Sequence, residues 1–155
     1  MSIVNVGVND LVESIIASAR AVLHVPLNIE EPRLYNETVL LSEMCVLVGF
    51  TGDLEGRLVI DGGIPTFGKL GESMFGMALE GEMLHSFVGE IANMVAGNVC
   101  THISQKGLKF DITPPTILEG EIKMYGYNKA IAVPLVIHNI GEMNFILLLQ
   151  KEKGE

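Results

Sequence analysis

The chain has 155 residues, 48% hydrophobic and 19% charged, which excludes a disordered polypeptide and gives one domain enough apolar mass for a core without staples. Its formal charge of −9, with 10 Lys and Arg in all, argues against nonspecific attachment to nucleic acid or to an anionic membrane surface. No apolar run approaches the length that spans a bilayer, and Asp10, Glu13 and Arg20 interrupt the N-terminal segment as no signal peptide allows, so a cytoplasmic location is expected.

Leu11, Val12, Ile15, Ile16, Ala19, Val22 and Leu23 recur at helical spacing. They predict an amphipathic helix with Asn9 as its N-cap, Asp10 and Glu13 in the first turn and Pro26 beyond its end. An irregular stretch around Glu31 and Pro32 follows. The β-branched and apolar run 38–50 and the run 56–61 then predict two strands joined by a short turn.

Pro65 fits the first turn of a second helix reaching about Gly76. Gly68 and Gly71 each weaken that helix by about 1 kcal/mol relative to alanine. The segment FGKLGES lacks the Gly-Lys-Ser/Thr spacing of a phosphate loop, so these glycines serve helix packing or a local bend. The longest predicted helix starts at Gly81 or Glu82 and ends at Gln105, with Gly107 as its stop.

Past Pro114 and Pro115, segments 117–126, 129–138 and 143–151 read as three more strands. Tyr127-Asn128 and Asn139 to Gly141 mark the turns between them, and Pro134 favours an edge or irregular position in its strand. Helix, two strands, two helices and three strands give no β-α-β alternation. The order implies a single α+β domain over residues 1–155, a mostly antiparallel sheet layered against helices.

On a wheel of roughly 100° per residue, Leu84, Phe87, Val88, Ile91, Val95, Val99 and His102 of the long helix share the side expected to face the sheet. Ser86, Glu90, Asn93, Gly97 and Ser104 gather opposite. Gly97 and Ser86 place no bulk beside Glu90 and Asn93, so the stripe would let another macromolecule come close. Elsewhere the side chains point to packing. Cys45 and Cys100 read as free thiols, the eight methionines as core filler, and His24, His85, His102 and His138 as isolated residues without metal-ligand spacing.

The segment SFVGEIANMVAGN, followed after the helix by DITPPT, resembles the signature of the CheC/CheX/FliY family of chemotaxis phosphatases, and CheX most closely. That signature runs from Ser or Asp to Glu four residues on, to Asn three further, and to a proline past the helix. Ser86, Glu90, Asn93 and the pair Pro114 and Pro115 occupy those places. GFTGDLEGRLVI, at 49–60, is similar to the hairpin that precedes the helical part in such proteins. One copy of the signature is present, where CheC-type members commonly carry two, and the switch-protein domain of FliY has no counterpart.

The resemblance implies a CheC-like or CheX-like fold, a homodimer and a substrate that is the aspartyl phosphate of a receiver-domain protein, chiefly phosphorylated CheY. It also implies that Mg2+ arrives with the receiver and that this chain binds no cofactor or metal of its own. Glu90 and Asn93 are carried over as the active pair, with Ser86, Gly97, Pro114 and Pro115 shaping the site. An amide suits this chemistry, because it can hold a water in line with the breaking P–O bond without repelling the phosphoryl charge. Glu90, as a carboxylate, can pair with the receiver's lysine and fix the register. A receiver-binding adaptor without catalysis is the alternative.

Overall fold

In the computed structural model, which describes residues 7–150, the apolar spacing of the first segment becomes helix α1, Val8–Leu23. Its N-cap is Gly7 and not Asn9: the Asp10 carboxylate reaches back and accepts the Gly7 N–H at 3.1 Å, which leaves Asn9 inside the first turn. The stretch expected to be irregular holds two short strands, β1 (Leu27–Ile29) and β2 (Arg33–Leu34). Their residues alternate too briefly to show a period, and they form because both pair with a later strand, β7 (Lys129–Ile137).

Strand β3 (Val39–Gly52) and strand β4 (Gly56–Asp61) form the expected antiparallel hairpin, with Cys45 opposite Asp61 and Phe50 opposite Gly56. Helix α2 (Gly63–Phe75) and helix α3 (Gly81–Ser104) follow. Next come β5 (Phe110–Ile112), which is too short to stand out in the sequence, then β6 (Thr116–Lys123), β7 and β8 (Gly141–Leu149). Lys151, placed in the last strand by the sequence, lies outside the described residues.

The strands make one antiparallel sheet in the order β1-β7-β8-β4-β3-β5, with β2 also on β7 and β6 also on β3. The long β3 thus carries β5 along one end of its outer edge and β6 along the other. Pro134 sits inside β7, opposite Asn144, and not on an edge strand. Its carbonyl accepts the Glu30 N–H at 2.8 Å, between the segments that β1 and β2 pair, so its missing donor faces the break between those two strands.

Alternation along the strands divides the sheet. Val46, Val48, Phe50, Leu58, Ile60, Val133, Leu135, Phe145 and Leu147 join the buried residues of all three helices in the main core. Cys45, Val59, Ala130, Ile146 and Leu148 form a smaller apolar layer on the other face. Burial, with Asp61 adding to it, pushes the Cys45 thiol up to about 11. Gly71 has the packing role expected of it, since a Cβ there would come 2.6 Å from the Leu79 Cδ1.

Candidate active site

Helix α3 is held along its length by Leu84, Phe87, Val88, Ile91, Ala92, Val95, Ala96, Val99 and Ile103, all buried. The predicted core side is present except at its end. His102 is exposed, and Ile103 takes the buried place because the stripe steps by four residues from Val99 as it meets α1. The salt bridge from Lys106 to Asp10, at 3.4 Å, marks the same meeting point.

Opposite the core, Ser86, Glu90 and Asn93 are exposed and Gly97 is half-buried, so the structure brings the four predicted helix residues onto one side. Glu90 and Asn93 are one turn apart, which places their Cβ atoms about 5–6 Å from each other. Among the described residues neither side chain makes a hydrogen bond or an ion pair. Gly97 is left open: a Cβ there would meet nothing within 4 Å. A helical glycine costs about 1 kcal/mol relative to alanine, and packing within the described residues does not require this one.

Of the two prolines, Pro115 borders this stripe. Both lie in the crossover from β5 to β6, which bulges off the edge of β3. Pro115 packs over the residue before Glu90: a Cβ on Gly89 would meet the Pro115 Cγ at 3.4 Å. Pro114, by contrast, is exposed.

Thr113 anchors the bulge. Its N–H donates to the Gly49 carbonyl at 2.9 Å, and its Oγ1 accepts the Gly49 N–H at 2.8 Å. A Cβ on Gly49 would come 3.1 Å from Thr113, so glycine permits this clasp. Gly49, Gly89 and Thr113 are supporting residues that the sequence did not single out, because their contacts join segments far apart in the chain. Thr113→Val should leave the Gly49 N–H without its side-chain acceptor and lower stability by about 1 kcal/mol. A reduced urea midpoint at unchanged slope would register that loss.

The methionines depart from expectation. Met44, Met124 and Met143 are core residues, but Met77, Met83 and Met94 are 55%, 56% and 42% exposed. Met83 and Met94 lie on α3 to either side of Glu90 along the chain. Phe75, Met77, Leu79, Met83 and Phe87 line a groove of about 590 Å³ whose other walls are Glu82, Ser86 and Glu90.

The chemistry open to this surface is narrow. Cys100 is half-buried and donates its thiol to the Phe110 carbonyl at 2.9 Å, and burial, with Asp111 adding to it, holds that thiol above its usual value. It is therefore a poor thiolate nucleophile. Both cysteines are free. No group of three or more His, Cys, Asp and Glu among the described residues could hold a metal ion, and no helix there is long and apolar enough to cross a membrane. What remains is a carboxylate and a carboxamide, unpaired and projecting from a fixed helix. Such groups are open to contact from another molecule.

Comparisons with known proteins bear on which molecule. Residues 44–135 match the family model for chemotaxis phosphatase CheX. The CheY-P phosphatase CheX of Thermotoga maritima is 28% identical over 152 residues, covering 95% of this chain and 96% of that one. The crystal structure of the chemotaxis protein CheX from Desulfovibrio desulfuricans superposes with a TM-score of 0.79 at 20% identity, over 92% of this chain and 97% of that chain. A CheX–CheY–BeF3–Mg2+ complex from Borrelia burgdorferi contains a chain matching at TM-score 0.76 and 24% identity, over 93% of this chain and 97% of that chain.

Proposed function

The chain belongs to the chemotaxis phosphatase CheX family, and from that premise we propose that it hydrolyses the aspartyl phosphate of a CheY-like receiver domain. The observation that carries this reading to particular residues is the pair Glu90 and Asn93, exposed, unpaired and one turn apart on the outer side of α3, with open space at Gly97. The whole chain acts as one domain in this reading.

The side chains enter the receiver's active site. Glu90 pairs with the receiver's lysine and sets the register, while the Asn93 carboxamide hydrogen-bonds a water and holds it in line with the phosphoryl group. The water oxygen bonds to phosphorus as the bond to the aspartyl oxygen breaks. Aspartate is restored, and both water protons leave with the phosphate. A loose phosphoryl transition state asks little deprotonation of that water, so an orienting amide suffices. Mg2+ belongs to the receiver, in keeping with the ion named in the Borrelia complex. Ser86 and Gly97 give clearance, and Pro114 and Pro115 wall the site.

The test is phosphate release from a panel of phosphorylated receivers. Acceleration by this chain supports the reading, while binding without acceleration would make the protein an adaptor.

Two further parts of the proposal concern setting. The chain works in the cytoplasm, where receiver domains are phosphorylated, and it works as a homodimer. The outer edge of β6, which pairs with no other strand among the described residues, and the 76% exposed Leu41 beside it offer a surface for a second copy. Light scattering should give the mass of two chains, and a single-chain mass would remove the dimer.

A further inference from the structure

Phe75, Met77 and Met83 are 61%, 55% and 56% exposed, a concentration of large apolar side chains that a monomer seldom leaves in water without use. Their groove is built from fixed parts. Phe75 stands edge-on to Phe87 with ring centroids 5.7 Å apart, and the buried Leu79 forms its floor against Gly71. We propose that this groove receives an apolar side chain that the receiver presents beside its phosphoaspartate, and that the fit decides which receiver is dephosphorylated. The inference rests on the phosphatase reading of Glu90 and Asn93.

Continuity with the proposed catalytic stripe identifies the occupant. Ser86 and Glu90 belong to both. Met83 and Phe87 precede Asn93 on the same helix by distances of about 15 and 9 Å at 1.5 Å per residue. A partner surface of standard size covers about 800 Å² on each side and so reaches about 16 Å from its centre. A receiver seated with its aspartate over Asn93 therefore covers the groove.

The walls specify the chemistry of the contact. They are mainly aromatic, aliphatic and thioether surface, which suits Leu, Ile, Met or Phe. The charged walls are Glu82 and Glu90, so a lysine or arginine beside the anchor is welcome and a carboxylate is repelled. With a net charge of −9 the chain gains no general attraction to an acidic partner, which leaves a local apolar anchor to carry affinity.

The test uses the full chain with phosphorylated receivers and, for binding alone, a beryllofluoride-activated receiver. Met83→Glu should raise both KM and Kd tenfold or more while turnover at saturation stays within twofold. Met83→Ala should raise them about threefold, which separates lost contact from added charge. Leu34→Glu, on the far edge of the sheet, should change neither. Unchanged KM and Kd in Met83→Glu, beside an active wild type, would overturn the groove's role and leave the phosphatase reading intact. A dimer that dissociates in Met83→Glu would instead make the groove a contact between copies and also overturn it. A wild type inert toward every phosphorylated receiver would remove the phosphatase reading itself, and the groove's role with it.

Discussion

Asn93→Ala should lower the saturated turnover of a phosphorylated receiver by about 100-fold or more, while its affinity for the activated receiver stays within about twofold. The size follows from the residue's proposed task. A water no longer held in line must be met by chance, and small losses of positioning cost about 100-fold in rate. The preserved affinity follows from the surroundings. Asn93 is exposed and has no hydrogen-bond or ion-pair partner among the described residues, so alanine removes one orienting group and disturbs little else. Single-turnover phosphate release gives the first number, and titration with a beryllofluoride-activated receiver gives the second. Equal losses in both would make Asn93 a docking residue only.

Glu90→Ala should weaken association and turnover together. If the carboxylate pairs with the receiver's lysine inside a water-excluding interface, truncation leaves that lysine buried without its partner, at a cost of about 2–5 kcal/mol. Affinity should then fall about 30-fold or more. Salt gives an independent readout. The pair forms at the centre of the interface, where screening is weak, so raising ionic strength should change wild-type release little, and the loss in Glu90→Ala should persist at high salt. A Glu90→Ala variant with normal affinity and normal turnover would remove the residue from the mechanism.

The parts of this molecule that were legible in the sequence are those written in a period. The stripe of α3 is one: apolar residues recur at helical spacing opposite a polar side, and that period alone gathers Ser86, Glu90, Asn93 and Gly97 on the side away from the core. A straight wheel gives His102 the core place that Ile103 holds, because the helix end turns its core side toward α1. Asn9 is a favoured cap residue type, but Asp10 satisfies the Gly7 N–H and moves the cap to Gly7. β1, β2 and β5 have two or three residues each and owe their extended form to neighbours far along the chain. The Gly49–Thr113 clasp spans 64 residues, and no local window holds both ends. Methionine identity alone does not separate core from surface, so Met77 and Met83 gave no sign of the groove.

The continuity of α3 bears on control. Glu90 and Asn93 ride on 24 unbroken helical residues pinned to the core from Leu84 to Ile103, with no proline or loop between them and the anchoring positions. A segment so tied offers no hinge between the site and its anchors, and a signal needs two states of similar energy before it can shift a population between them. The ordering of the site is therefore settled when the chain folds. Its output then follows supply: how many copies the cell holds, how many receivers carry a phosphate, and what else competes for the same surface.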